Sequence, residues 1–209
     1  MEVDLINWGT CDSCPHESVI GPASSKVFAH CLNTVDGVGI IAIGNVGQLQ
    51  KTTNLVRPNY IVNLSSVAVA GSTLQLPTDT FYGDGKGAMI DIGTTSIYLP
   101  EIFYKHPDTL FWSVRDILYM KHHGRVDDVF PKITFHFDGG LALDIYPHDY
   151  LLNNGSDWYY VVLRNGRSQP EHMKNLVILG DIVFSNKLVV YDLENQVIGW
   201  TDHDCEILA

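Results

Sequence analysis

Positive charge is scarce in this 209-residue chain: 13 Lys and Arg stand against 24 Asp and Glu, a formal net charge of −11. A surface of that sign repels phosphate and argues against nucleic acid as a partner. Long apolar runs are also missing. No stretch approaches the roughly 18 uninterrupted apolar residues of a membrane helix, and residues 1–8 lack the basic and apolar regions of a secretory leader. Cysteine is sparse, with four residues at Cys11, Cys14, Cys31 and Cys205. The Cys11-x-x-Cys14 pair reads equally as a redox couple, half a zinc site or a local disulfide, and no second pair at matching spacing completes a zinc site. Histidine is common, yet no HExxH spacing occurs, and no G-x-S-x-G nucleophile elbow is present. Metalloprotease and serine-hydrolase chemistry thus lack their motifs, and the histidines, His30 and His122-His123 among them, read as surface or structural.

What is present is the composition of an ordinary globular protein, 45% hydrophobic and 11% aromatic, long enough to bury a core. The patterning is β throughout. Alternating or continuous apolar segments predict strands over 39–44, 60–70, 88–92, 96–99, 132–137, 141–146, 158–163, 176–179, 187–191 and 197–201. Turn signals such as Asp36-Gly37, Asp84-Gly85 and Asp138-Gly139-Gly140 separate them, which favours an all-β sandwich or barrel over βαβ units. Helix is expected only as short pieces, one starting at Pro100 and stopped by Pro107, another over 181–186. Residues 1–25 carry the CxxC pair and little periodicity. They read as an irregular arm before a β domain spanning 26–209.

The most informative segment is Ala88-Met-Ile-Asp91-Ile-Gly93-Thr94-Thr95. An apolar strand delivers an acid into a turn, where an unpaired carboxylate would be costly to desolvate. Gly93 lets a backbone amide approach that carboxylate, and Thr94 offers it a hydroxyl. Further along, Leu176-Val-Ile-Leu179-Gly180-Asp181 repeats the pattern of an apolar strand ending in Gly-Asp. Two N-x-Ser sequons, at Asn63 and Asn154, are candidate glycosylation sites in a secretory setting.

Together with Phe28-Ala-His-Cys31-Leu, Val126-Asp-Asp-Val-Phe-Pro131 and Tyr146-Pro-His-Asp-Tyr150, these segments resemble the C-terminal lobe of pepsin-like aspartic proteases, in particular the plant branch. The resemblance covers roughly residues 26–205. It implies an all-β acid-protease lobe, Asp91 as a catalytic aspartate, and Gly93, Thr94 and Gly180 as support of its loop. It also implies an endopeptidase acting on polypeptides at acidic pH, without metal or cofactor, in a secretory, extracellular or vacuolar compartment. In that family two aspartates, one per lobe, share a proton because two charges so close cannot both ionise. One activates water while the other serves the scissile carbonyl.

The sequence departs from the pattern in three places. Residues 2–15 resemble the stretch just after the first Asp-Thr-Gly in plant members, so Asp4 lies beyond that motif, and neither the motif nor the flap tyrosine has a counterpart here. Ile92 stands where the family has Ser or Thr. The positions resembling the lobe's internal disulfide fall near Met120 and Tyr159. These departures keep a second expectation open, a catalytically silent lobe that binds a peptide or another subunit. The missing carboxylate would otherwise come from a separate N-terminal lobe or from a homodimer that pairs two Asp91 side chains.

Overall fold

A computed structural model of the protein describes residues 26–33, 37–44, 46, 49–57, 59–77, 79–105, 111 and 117–205. The expected arm 1–25, with Cys11 and Cys14, lies outside the described residues. The described strands are β1 (Val27–Asn33), β2 (Val38–Ile43), β3 (Thr53–Arg57), β4 (Ile61–Val62), β5 (Leu64–Val69), β6 (Ser72–Thr73), β7 (Gly87–Ile90), β8 (Ile97–Leu99), β9 (Tyr119–Lys121) and β10 (Ile133–Phe137). They continue as β11 (Ala142–Ile145), β12 (Leu151–Asn153), β13 (Trp158–Val161), β14 (Leu163–Asn165), β15 (Leu176–Leu179), β16 (Lys187–Asp192) and β17 (Val197–Asp202). Among the described residues the helices with both ends described are short, including Glu101–Lys105, Pro147–Tyr150 and Asp181–Phe184.

The strands form three sheets. A ten-stranded sheet has the order β14-β8-β15-β7-β4-β3-β17-β16-β1-β2, a four-stranded sheet β11-β10-β5-β6, and a three-stranded sheet β12-β13-β9. The fold is an all-β, pepsin-like lobe. The large and middle sheets meet through Trp200 of β17, which packs edge-on against Phe137 and Phe184 and donates its indole N–H to Ala142 O at 2.9 Å. That bond removes the cost of burying the ring's polar atom.

Each burial pattern follows from a strand's place. In β10 burial alternates residue by residue, because only one face meets the core. In β7 and β15 every residue is buried, as expected for central strands covered on both faces.

Two expected strands are each two: the run 158–163 covers β13 and the first residue of β14, which lie in different sheets, and the run 60–70 divides likewise. The run 60–70 breaks at Asn63, so that β4 joins the ten-stranded sheet and β5 the four-stranded one. Asn63 holds the pivot: its Nδ2 donates to Asp138 Oδ2 at 2.9 Å. The segment expected over 88–92 ends at Ile90, where the chain leaves the sheet. β1, β3, β6, β9 and β12 were not among the expected strands; the short ones, β6, β9 and β12, offer too few residues for periodicity to register.

Candidate active site

The site begins with a topological constraint. β7 and β8 are joined by residues 91–96 but are not neighbours, because β15 lies between them, parallel to β7 and antiparallel to β8. The connecting loop must therefore cross the end of β15, a step of two strand spacings, about 9.6 Å. Asp91 is the first residue of that crossing. Its backbone N–H still donates to Leu179 O at 3.0 Å, extending the β7–β15 ladder by one residue. The chain then turns, and Thr94 N–H donates back to Asp91 O at 3.1 Å.

The turn fixes the carboxylate. Gly93 N–H donates to Asp91 Oδ1 at 3.1 Å, and the Thr94 hydroxyl donates to Oδ2 at 2.7 Å. Each oxygen accepts one bond from its own loop and keeps lone-pair capacity for another ligand. Gly180 closes the arrangement from beneath. A Cβ there would stand 2.5 Å from Thr95 O and 2.6 Å from Ser96 O, and on top of Thr94 O, so only glycine lets the loop lie on β15. Asp181 N–H then donates to Thr94 O at 2.7 Å. Asp91, Gly93, Thr94 and Gly180 thus occupy one loop crossing.

Two further groups sit against this loop. Burial raises the Asp181 carboxyl above its ordinary value, and the Asp91 charge raises it further. Asp181 Oδ1 is buried without a hydrogen-bond partner. Behind Asp91 lies an aromatic cluster: Phe28 stacks on Tyr191 at 4.4 Å, and Tyr60 meets Tyr191 edge-on at 4.8 Å. Burial, with the nearby Tyr60 and Asp91, drives the Tyr191 phenol well up, and burial pushes Tyr60 up to about 12. Asn59 and Tyr60 both adopt left-handed backbone, φ 65° and 55°, a conformation costing about 1–2 kcal/mol per non-glycine residue. Tyr60 O accepts from Ile90 N at 3.2 Å, so this strained turn is tied to the strand that carries Asp91. Sequence reasoning placed Tyr60 only within the expected strand 60–70 and Asp181 only at the end of the apolar segment and the start of a short helix. The Gly-Asp that ends an apolar strand was the one available signal for the latter.

The other candidates lie elsewhere. Cys31 and Cys205 form a disulfide. Met120 and Tyr159 face each other across β9 and β13, so the two positions resembling a family bridge are cross-strand neighbours filled by packing side chains. Asn63 lies at the strand pivot and Asn154 in the exposed turn after β12. Asp127, in the turn before β10, has its Oδ1 2.9 Å from His148 Nδ1, a contact remote in sequence from the Asp91 loop. No helix among the described residues is long and apolar enough to cross a membrane.

A carboxylate is thus held in a loop that crosses the end of a strand, on an all-β lobe. Residues 59–202 match the family described as xylanase inhibitor C-terminal, and the chain belongs to that family, as a plant pepsin-like C-terminal lobe. Over 203 residues it is 38% identical to Aspartic proteinase 36 of Arabidopsis thaliana, covering 88% of this chain and 41% of that protein. It is similar to Aspartic proteinase 39 of the same plant, 36% identical over 87% of this chain and 40% of the relative. Aspartic proteinase nepenthesin-2 of Nepenthes gracilis is 25% identical over 96% of this chain and 49% of its own length. The chain thus spans less than half the length of each of these relatives.

Proposed function

We propose that this chain supplies one aspartate of a two-aspartate endopeptidase site, with Asp91 as the catalytic group. The observation that carries the reading is the pair of bonds from Gly93 N–H and the Thr94 hydroxyl to separate oxygens of Asp91. They fix the plane of the carboxylate while leaving each oxygen able to bind water or share a proton. In such a site one carboxylate removes a proton from the bound water as it attacks the scissile carbonyl carbon. The proton shared by the pair hydrogen-bonds and then neutralises the developing oxyanion, and protonation of the amide nitrogen releases the amine. Asp91 does half of this work. The second carboxylate comes from another lobe, and the substrate is an extended polypeptide.

The Cys31–Cys205 bridge supports a secretory, extracellular or vacuolar setting, since disulfides persist in oxidising compartments. Ile92 favours a second reading. It carries no hydroxyl where the resembling proteases have one to brace the facing loop, and the matching family is described as an inhibitor domain. That reading is a silent lobe that holds a peptide or subunit without cutting it.

One experiment separates the two. The chain is joined to an N-terminal lobe bearing its own Asp-Thr-Gly loop and assayed on an unstructured polypeptide between about pH 3 and 6. Cleavage that is lost in Asp91→Asn supports catalysis. A folded two-lobe protein that binds the polypeptide without cutting it, before and after Ile92→Thr, supports the silent lobe.

A further inference from the structure

The two sequons meet very different surroundings. At Asn63 the atom that would carry a sugar, Nδ2, donates to Asp138 Oδ2 at 2.9 Å, and Asn63 O accepts from Asp138 N at 3.3 Å. The Ser65 hydroxyl, the other half of that sequon, donates to His136 O at 2.9 Å. Both polar groups are committed to holding β5 and β10 together, and Asn63 is half-buried. A sugar on Nδ2 would displace Asp138 and open that contact.

Asn154 stands at the exposed tip of the β12–β13 hairpin. Asn153 Oδ1 accepts from Gly155 N at 2.6 Å and from Ser156 N at 3.1 Å, which shapes the turn, and Gly155 takes φ 88°. The Ser156 hydroxyl donates to Asn154 Oδ1 at 2.7 Å. Among the described residues Asn154 Nδ2 has no partner, so the acceptor atom is presented to solvent.

The register adds a second observation. Leu152 pairs with Tyr160 and Asn153 with Tyr159, and Asn154 N donates to Trp158 O at 3.3 Å, carrying the ladder one step further. Asn154 therefore lies opposite Trp158 and on the same face, within the reach of cross-strand neighbours. On the far side of β13, Trp158 pairs with Lys121 and Tyr160 with Tyr119. Trp158 is 47% exposed and Tyr119 is 56% exposed. Tyr160 lies 5.3 Å from the Tyr119 ring, with the Arg164 guanidinium 4.6 Å above its own ring. This is an open aromatic platform beside an open asparagine. An exposed apolar patch of this kind marks a contact surface, and the C–H face of a pyranose is the complement of an aromatic ring rimmed by cations.

We propose that Asn154 is N-glycosylated, that Asn63 in the folded protein is not, and that the first N-acetylglucosamine lies against Trp158. The donor is a lipid-diphosphate-linked oligosaccharide supplied by a membrane transferase. Asn154 Nδ2 attacks the anomeric carbon, the C–N bond forms, the bond from that carbon to the diphosphate oxygen breaks, the lipid diphosphate leaves, and Nδ2 loses one proton. The proposal rests on entry into a secretory lumen and is independent of whether Asp91 hydrolyses anything.

The test expresses the full chain behind a cleavable leader in plant cells and recovers the folded protein from lumen and medium. Intact mass is read before and after an amidase that removes N-glycans. One glycan is expected, absent in Asn154→Gln and in Ser156→Ala and retained in Asn63→Gln. A lumenal protein with no mass shift, or a shift that survives Asn154→Gln and is lost in Asn63→Gln, overturns the assignment. For the platform, acrylamide quenching of tryptophan emission should rise on deglycosylation of the wild type and stay unchanged in Trp158→Ala, which still carries the glycan. Equal quenching before and after deglycosylation of the wild type overturns the contact with Trp158.

Discussion

Gly180 has φ −77°, a value open to any residue, so its importance comes from space and not from conformation. Three carbonyl oxygens of the Asp91 loop occupy the volume a Cβ would need. Thr94 is itself fixed by backbone bonds to Asp91 and Asp181, so its carbonyl cannot retreat cheaply. Gly180→Ala is expected to destabilise the lobe by about 3 kcal/mol, the upper part of the range for overpacked cores. For a domain of this size that corresponds to a melting temperature about 6–12 °C lower. Thermal unfolding followed by circular dichroism checks it; a change under about 2 °C would mean the loop stands off β15. The glycine's position was legible in the sequence because an apolar strand ending in Gly-Asp is an uncommon pattern. Its role as support of the Asp91 loop came only from the family resemblance; nothing in residues 176–181 themselves announces that three carbonyls of that loop lie on top of them.

At the scale of elements, β1 and β16 are neighbours, and their register sets Phe28 opposite Tyr191 and His30 opposite Val189. His30 is 2% exposed; its Nε2 lies 3.2 Å from the Tyr191 hydroxyl, while its Nδ1 has no partner. Burial lowers its pKa from 6.5 to about 4. The folded lobe therefore prefers the neutral ring. This contribution to stability is complete above pH 6.5 and is lost as the pH falls toward 4, amounting to about 3 kcal/mol over that window. His30→Gln keeps a polar group for Tyr191 and removes the titration. Urea midpoints at pH 7 and pH 4 should fall further apart for the wild type than for the variant, and equal falls would acquit His30. The effect matters because the window overlaps the acid range in which the proposed hydrolysis would run. The sequence contained the strand partners of this cluster, yet it read Phe28-Ala-His-Cys31 as a family segment and its histidine as surface or structural. A buried histidine and an exposed one look alike until the strand order is known, and the order β16-β1-β2 joins segments more than 140 residues apart, as Cys31 pairing with Leu188 illustrates.

For the molecule as a whole, the ten-stranded sheet ends at β14 on one side and at β2 on the other among the described residues. β2 is its last strand, and Val38, Ile41 and Ile43 are exposed along it. Among the described residues nothing pairs with its outer side, and an edge of this kind is a template for another strand. The same end of the sheet is secured by the disulfide. Cys31 lies in β1 and Cys205 follows β17, so the bridge spans the intervening β16 and closes 174 residues of chain. Closing so long a loop removes conformational freedom from the unfolded chain worth about 5 kcal/mol in the chain-entropy picture. Single domains have a total stability of only about 5–15 kcal/mol, so the bridge ranks with the core itself. The double variant Cys31→Ser, Cys205→Ser should lower the urea midpoint by a third or more at unchanged slope. Adding a thiol reductant to the wild type should move its midpoint the same way and leave the double variant unmoved. If the reduced and oxidised wild-type proteins unfold at the same denaturant concentration, the ladder β2-β1-β16-β17 holds the lobe closed without the bridge. The end strand β2 would then be backed by hydrogen bonds and packing alone.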